Sequence, residues 1–254
     1  NQHMNGGILI NDWGQTSLAG CYAIGEAAGS HGVTRPGGAA LNSGQVFGKR
    51  VAIAIKRDRL DRDESTADAK NIASALQDCL AAADGFVGSS SGQTTKDIKA
   101  EIQARMSDYA GIICTASEVH SALESARALR HKIDAEGIRV SSPALVGTAF
   151  RWRQMAWVSE AVLTALDHYI QQGGGSRGAR AICSEVGTRC PESNGEDLSR
   201  FRFVEEQAKD RNEKLIVSRV DDGIAISAVS VDLTPEVRRE FFEKGWGSYL
   251  IKEG

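Results

Sequence analysis

The residues best suited to chemistry lie in a glycine-rich segment, residues 25–41, which reads GEAAGSHGVTRPGGAAL. Glu26 follows an apolar run that is typical of a strand, and open α/β sheets bind their ligands at the carboxyl ends of strands. Gly37 and Gly38 let the backbone approach a flat ligand without a clash from a side chain. A helix beginning near Ala39 would direct free N–H groups and its positive dipole end at that ligand. The segment therefore favours binding of a flat anionic ligand, with a tight structural turn as an equal alternative.

Two short strands and one helix are predicted to position this segment. Residues 8–10 and 21–24 are apolar runs bounded by glycine and asparagine, which predicts buried strands. Apolar residues from 39 to about 55 recur at roughly helical spacing, which predicts the helix. We assign residues 1–56 to this first domain. The chain does not begin with Met and enters a strand almost at once, so we expect it to be the later part of a longer protein.

Residues 57–93 are predicted to form a helical linker region, with a helix at 71–83 and a flexible loop at 85–92. Residues 94–175 are predicted to form a helical bundle domain. Its helices begin at Thr94, at Thr115 and near residue 149, and glycine ends the third. The side chains expected to face inward in the second helix are Val119, Leu123, Ala126, Leu129 and Ile133. Those expected to face inward in the third helix are Met155, Val158, Val162, Leu166 and Tyr169.

Residues 176–254 are predicted to form a small α+β tail. Two apolar runs at 215–220 and 224–229 flank an Asp-Asp-Gly sequence, which predicts a β-hairpin. Pro235 is expected to begin a last short helix. The tail therefore adds a hairpin and one helix to the helical region that precedes it.

Composition argues against several classes of function. The chain has 254 residues, a net charge of −3 and 41% hydrophobic residues. This disfavours a general nucleic-acid binder, because no basic excess is available to neutralise phosphates. No apolar run reaches the roughly 18 residues of a membrane span, and we expect no secretory leader. The five cysteines are scattered, which favours a reducing cytosol over a disulfide framework, and no spacing fits a metal site.

The order of the motifs resembles the C-terminal flavin-binding segment of the fumarate reductase, succinate dehydrogenase and L-aspartate oxidase flavoproteins. That family carries His-x-x-Met-Gly-Gly, then GLYAAGE, then HGANRLGGNSL and an apolar helix. This chain carries HMNGGILI, GCYAIGEAAG and HGVTRPGGAALNSGQVFG, so order, spacing and chemistry agree over residues 2–52. The resemblance continues through residues 101–133 and through SRGAR, which is close to the family's ESRGAHYR, to about residue 185.

This resemblance implies FAD as the cofactor. It implies a fold class of α/β plus α, in which an incomplete FAD-binding, Rossmann-like segment precedes a helical bundle and a small α+β tail. The positions that match flavin-contacting residues of the family are His3, Glu26, Ala40 and Leu41. The positions that match substrate-binding residues are Gln2, Arg35 and Gly38. A bidentate guanidinium suits a carboxylate, so the implied substrate is a small carboxylic acid. No catalytic residue is assigned, and His31 fits either a place near the substrate or loop packing.

Two departures from the family change the implied chemistry. Gln2 stands where the family has a substrate-binding histidine, and Ala39 stands where it usually has asparagine. We therefore expect a related small acid or an enone-type acceptor as the substrate. The family's Gly-x-Gly-x-x-Gly turn and its proton-donating arginine are not found in this chain. We expect the chain to be inactive alone, to need a missing N-terminal FAD-binding half in the same or a separate chain, and to expose strand edges near residues 7–10 and 21–24.

A second hypothesis places the chain in a different class. As a non-catalytic interaction module, it would dock an iron–sulfur or other electron-transfer subunit through its helical bundle and tail. The departures at Gln2 and Ala39 motivate this alternative. Under either hypothesis we expect a cytoplasmic location, peripheral to a membrane only through a partner. Flavin reduction in the full-length protein would discriminate between the two.

Overall fold

The computed structural model describes residues 6–31, 39–59, 69–178, 180–190, 195, 198, 201–209, 213–221 and 223–231. The described part is a mixed helical and sheet structure. Its α-helices are α1 Ala39–Arg59, α2 Ala69–Gly88, α3 Thr95–Tyr109, α4 Ala116–Glu136 and α5 Val146–Gln171. Its strands are β1 Gln93–Thr94, β2 Ile113–Thr115, β3 Ile138–Arg139, β4 Ala181–Arg189, β5 Arg202–Phe203, β6 Glu213–Val220 and β7 Gly223–Ser230. Within these residues, no helix has the length and apolar content needed to cross a bilayer.

The strands predicted at residues 8–10 and 21–24 are not present as ladders. Ile8 makes a single parallel bridge to Ala28, and Tyr22 makes a single antiparallel bridge to Gln15. The bridges stay isolated because no described strand lies beside them to continue the hydrogen bonding. Ile8 is 52% exposed. The N-terminal unit, residues 6–31 and α1, therefore holds together without a sheet of its own.

Helix α2 extends into residues 85–88, where the sequence predicts the start of a flexible loop at 85–92. The helix runs from Ala69 to Gly88, through Gly85, instead of ending near residue 83. Phe86 explains the extension, because it is buried and packs edge-on against Phe150 of α5 with ring centroids 5.0 Å apart. Burial of an aromatic ring offsets the cost of about 1 kcal/mol that a glycine brings to a helix interior.

The starts of α3 and α4 follow the predicted capping residues. The Thr94 side chain accepts a hydrogen bond from the Asp97 backbone N–H, and the Asp97 carboxylate accepts one from the Thr94 backbone N–H. The Thr115 side chain likewise accepts from the backbone N–H of Glu118. Helix α4 buries all five of its predicted inward side chains. These helices therefore follow from local sequence signals.

Helix α5 matches its predicted inward face only in part: Leu166 is buried and Met155 packs against a core cluster, as predicted. It begins at Val146, and Val158 is exposed. The side chains it buries instead include Trp157, Glu160 and Leu163. A buried glutamate breaks the apolar period on which the prediction relied. Gly173, just after the helix, has φ +75°, which is the left-handed conformation predicted for the glycine that ends it.

Two apolar clusters form the core of the helical region. One includes Phe86, Ile98, Ile133 and Ile138, and the other includes Leu123, Leu163 and Ile182. Strand β4 brings Ile182 into the second cluster by pairing in parallel with β2 and antiparallel with β5. The core thus lies between helices α3, α4 and α5 and the short sheet.

The predicted hairpin in the tail is confirmed. Strands β6 and β7 pair antiparallel from Glu213↔Ser230 to Val220↔Gly223, and Asp221 in the turn has φ +44°. A two-residue turn with positive φ matches the right-handed twist of a hairpin. The helix predicted from Pro235 lies outside the described residues.

Candidate functional site

Glu26 lies in a one-turn 3₁₀ helix, Gly25–Ala27, that packs against the first turns of α1. Gly25 has φ +62°, and a Cβ built on it would lie 4.0 Å from the Cα of Gly44. The hydroxyls of Ser30 and Ser43 lie 2.9 Å apart, which joins the same two segments by a hydrogen bond. Two glycines in contact let the turn and the helix approach closely. This contact fixes the exposed Glu26 beside the N-terminal end of α1.

Ala40 and Leu41 lie in the first turn of α1, one turn before Gly44. Backbone N–H groups in the first turn of any helix lack an acceptor within that helix, and the dipole makes this end positive. No acidic side chain occupies the first turn, and Leu41 is 75% exposed. The structure therefore brings three of the predicted cofactor-binding residues, Glu26, Ala40 and Leu41, to one end of one helix.

The other predicted site residues cannot be located in the same way. Gln2, His3, Arg35 and Gly38 lie outside the described residues. Their assigned roles therefore stay predictions.

His31 follows Ser30, which contacts α1 through Ser43, and it holds an unsatisfied polar atom. Its Nε2 is buried and has no hydrogen-bond partner among the described residues. An imidazole nitrogen, a carboxylate and the backbone N–H groups of a helix N-terminus together form a mixed set of donors and acceptors. Such a set fits a polar, flat ligand with hydroxyl groups and anionic character, so the residues that are described fit a flavin.

The second half of α1 is held by the turn at residues 11–15. Asn11 Oδ1 accepts from the backbone N–H groups of Trp13 and Gln15, at 2.9 and 3.0 Å. Gln15 Nε2 donates to Asp58 Oδ2 at 2.8 Å, and the guanidinium of Arg57 lies 4.9 Å from the centre of the Trp13 ring. Polar contacts and one cation–π contact therefore anchor α1 at the end opposite the site.

Sequence reasoning missed the residues that seat α1, namely Ser30, Ser43 and Gly44. A signal was present in the sequence: Gly44 and Gly48 are four residues apart and so share one face of the helix. A Cβ built on Gly48 would lie 3.9 Å from Ile24 Cδ1, so that face does pack on the chain before Glu26.

A second concave surface lies between α3 and α4. The groove has a volume of about 630 Å³ and includes Arg105, Glu101 and three serines of α4 in its lining. Arg105 is buried and donates from Nη1 to Glu101 Oε1 at 2.9 Å. Its Nε and Nη2 have no acceptor among the described residues. Across the part of the chain that the structure describes, no three His, Cys, Asp or Glu side chains converge to hold a metal ion.

Two residues of α5, Trp157 and Arg153, contact neighbouring elements of the protein. The Trp157 ring lies between two guanidinium groups, with Arg130 of α4 at 4.2 Å and Arg219 of β6 at 4.1 Å from its centre. Arg153 pairs with Asp134 at 3.2 Å. These side chains join the hairpin and α4 to α5, so they form a packing face and not a stacking platform for a ligand.

The chain is similar to known proteins in sequence over part of its length and in fold over most of it. No protein-family model matches the chain. The chain is 42% identical over 59 residues to a fumarate reductase (CoM/CoB) subunit of Methanothermobacter marburgensis, which covers 23% of this chain and 11% of that protein. It is 28% identical over 163 residues to an uncharacterised FAD-dependent oxidoreductase of Methanocaldococcus jannaschii, which covers 63% of this chain and 28% of that protein.

The fold matches FrdA of Escherichia coli quinol fumarate reductase with a TM-score of 0.69 and 19% identity, over 91% of this chain and 37% of that chain. In sequence, the chain is similar to part of a protein of the FAD-dependent oxidoreductase class. More narrowly, the sequence matches confirm its resemblance to fumarate reductase and L-aspartate oxidase. The chain spans well under half of the length of each of these relatives.

Proposed function

We propose that this chain is part of an FAD-dependent oxidoreductase. In the complete enzyme, hydride would pass between the flavin and a carbon atom of a small carboxylic or dicarboxylic acid, or of an enone-type acceptor. The observation that carries the proposal is the position of Glu26 beside the N-terminal part of α1. The relatives named as fumarate reductase, L-aspartate oxidase and FAD-dependent oxidoreductase support it.

The described residues would hold the cofactor by polar contacts. The Glu26 carboxylate would accept hydrogen bonds from hydroxyl groups, and the backbone N–H groups of Ala40 and Leu41 would donate to the flavin ring. The positive end of α1 would favour negative charge on that ring. FAD, when bound, supplies the two-electron chemistry. The role of the α1 end is therefore to stabilise the anionic, reduced form of the ring.

The substrate-binding roles follow from the family resemblance. Arg35 would bind a carboxylate through two parallel N–H bonds, and the Gly38 backbone N–H would donate to the same substrate. Gln2 would contact the substrate without a charge, which favours an acceptor with fewer carboxylates than fumarate. His3 would contact the flavin.

We further propose that polypeptide outside these 254 residues completes the FAD site and supplies the proton donor. The chain alone would then be inactive, and an iron–sulfur or other electron-transfer subunit would be the partner that exchanges electrons with the flavin. The division into residues 1–56, 57–93, 94–175 and 176–254 belongs to the same proposal, with the Rossmann-like segment first and the helical bundle third. The partial coverage of the relatives supports it.

The test is the affinity of the full-length protein for FAD. Loss of charge-assisted hydrogen bonds costs about 1.5–3 kcal/mol, so Glu26→Ala should weaken FAD binding by about 10-fold to 150-fold. Glu136→Ala, an exposed glutamate near the end of α4, is the matched control and should leave the affinity unchanged. Arg35→Ala should raise KM and lower turnover while FAD stays bound. A full-length protein that binds no FAD, or a Glu26→Ala variant with unchanged affinity, would overturn the proposal.

A non-catalytic module that docks an electron-transfer subunit is the second candidate. The glutamine at position 2 favours it, because a charged substrate contact of the family is lost there. Flavin reduction in the full-length protein by any electron donor would exclude this candidate. Binding of a partner subunit without flavin reduction would support it.

A further inference from the structure

Helix α2 extends away from the core over most of its length. Every residue from 71 to 81 is exposed, although the helix is regular over Ala69–Gly88. Its large apolar side chains are exposed to a similar degree, with Ile72 at 59%, Leu76 at 57% and Leu80 at 54%. The exposed stretch, residues 71–81, makes up about three turns of α2. A helical stretch of that length is marginal in water when nothing packs against it, so we expect a partner to cover it.

The exposed apolar side chains share one face of α2. At 100° per residue, Ile72, Leu76, Cys79, Leu80 and Val87 fall within an arc of roughly 100°. We call these five residues the α2 stripe. Polar residues such as Ser74 lie on the opposite side of the helix. An amphipathic pattern of this kind is typical of a helix that buries one face.

Only the last part of this face is covered by the chain itself. Phe86 lies close in angle to Cys79 and is buried against Phe150, with ring centroids 5.0 Å apart. Four side chains of the α2 stripe continue the same face toward the N-terminal end of the helix, and they remain exposed, as does Val87 next to Phe86. The stripe is therefore continuous with packing that already exists in the core.

We propose that the α2 stripe docks the FAD-binding polypeptide that lies outside these 254 residues. This inference rests on the proposed function, which requires such polypeptide. The solved FrdA chain shares this fold over 91% of our chain but over only 37% of its own length, so more than half of a chain of that kind lies beyond the matched part.

The N-terminal unit, like α2, exposes large apolar side chains to solvent. It buries only small residues, Gly14, Ala23, Ala28 and Ala54, among those the structure describes, while Ile8 and Ile24 are exposed. Residues 60–68 join α1 to α2 and span at most about 30 Å. The polypeptide that covers the N-terminal unit is therefore within reach of α2. The α2 stripe carries no charge, so its partner surface should be an apolar groove that accepts a helix.

The first experiment compares Leu76→Glu with Ser74→Glu in the full-length protein, where both add the same charge to the same turn of α2. Docking predicts that Leu76→Glu lowers Tm by roughly 3–10 °C and that Ser74→Glu shifts it by about 1 °C or less. In the 254-residue chain, both variants should unfold within about 1 °C of the parent. Equal shifts in a full-length protein that retains FAD would overturn the docking surface alone. A full-length protein without FAD would overturn the proposed function, while the Tm comparison would still test docking.

The second experiment needs no variant, so a failure to fold cannot obscure it. Cys79 is exposed in this chain, and its alkylation by iodoacetamide can be followed by mass spectrometry. Docking predicts alkylation at least about tenfold slower in the full-length protein than in the 254-residue chain, and equal rates would overturn the inference. Light scattering of the 254-residue chain tests whether a second copy of the chain binds the α2 stripe instead. A dimer that Leu76→Glu converts to a monomer would assign the α2 stripe to a second copy and overturn the proposal.

Discussion

The buried ion pair between α4 and α5 offers a sharp test of how the helical region is stabilised. Arg130 Nε donates to Glu160 Oε2 at 2.5 Å, and the two side chains are only 4% and 2% exposed. Among the described residues, Arg127 also approaches this carboxylate, but its Nε lies 3.9 Å from Glu160 Oε1, which is too long for a hydrogen bond. Replacing Arg130 by methionine would therefore leave a buried carboxylate without its closest charged donor.

The expected cost is large because the remaining charge stays out of water. Removing one partner of a buried ion pair destabilises proteins by about 3–5 kcal/mol, and loss of the contact between Arg130 and the Trp157 ring adds to it. In a protein of this size, 1 kcal/mol corresponds to about 2–4 °C in Tm, so Arg130→Met should lower Tm by roughly 6–20 °C.

Urea unfolding followed by circular dichroism measures this cost directly. Arg153→Met is the matched control, because its partner Asp134 is 32% exposed and the pair should contribute about 1 kcal/mol or less. The double variant Arg130→Met/Glu160→Leu should recover most of the lost stability, since an apolar pair can replace a buried ion pair at little cost. If Arg130→Met cost no more than Arg153→Met, or if the double variant were worse than the single one, the reasoning would be refuted.

Three further predictions concern single groups. The Thr94 hydroxyl donates a hydrogen bond to the Asp97 carboxylate and lowers the pKa of Asp97, so the ionised carboxylate stabilises the fold above the ordinary pKa of Asp, and this stability is lost as the pH falls through the lowered pKa. The Tm difference between the parent and Asp97→Asn should therefore shrink from pH 7 to pH 3. A difference that stays constant over this range would contradict the reasoning. Burial raises the pKa of the Cys114 thiol, so iodoacetamide at pH 7.5 should label the exposed Cys21 well before Cys114, as read by mass spectrometry, and equal labelling would count against it. Arg105→Met should change the free energy of unfolding by less than about 1 kcal/mol or stabilise the protein, since two of its buried nitrogens lack an acceptor among the described residues; a loss in urea unfolding as large as that of Arg130→Met would argue against this.

Helices α4 and α5 show where sequence reasoning on packing succeeds and where it fails. In α4 the apolar period identifies most of the buried face, because all five predicted inward positions hold apolar residues and are buried, but it does not reveal the buried Arg130. In α5 the buried face includes Glu160, whose partner Arg130 is thirty residues away on another helix. A period of apolar residues cannot reveal a polar pair formed across two helices, so Val158 was assigned inward although it is exposed.

The sequence predicted which residues form the candidate site, but not the contacts that hold them in place. The family resemblance selected Glu26, Ala40 and Leu41, and the structure brings them to one end of α1. The contact of Gly25 with Gly44 that places them there joins residues far apart in sequence, so local patterns do not show it. The prediction of strands at residues 8–10 and 21–24 was wrong for a related reason. A strand needs a neighbouring strand to pair with, and none is described beside these residues.

The two parts of the chain differ in what stabilises them, and the difference bears on function. Helices α3–α5 enclose large apolar side chains such as Leu123 and Leu163, so they possess a core of their own. The N-terminal unit, which carries the candidate flavin contacts, buries only glycine and alanine among its described residues and relies on hydrogen bonds and close glycine contacts. Contacts of this kind fix local geometry but remove little apolar surface from water. The site should therefore reach its working geometry only when further polypeptide covers residues such as Ile8 and Ile24, which couples assembly of the protein to formation of its cofactor site.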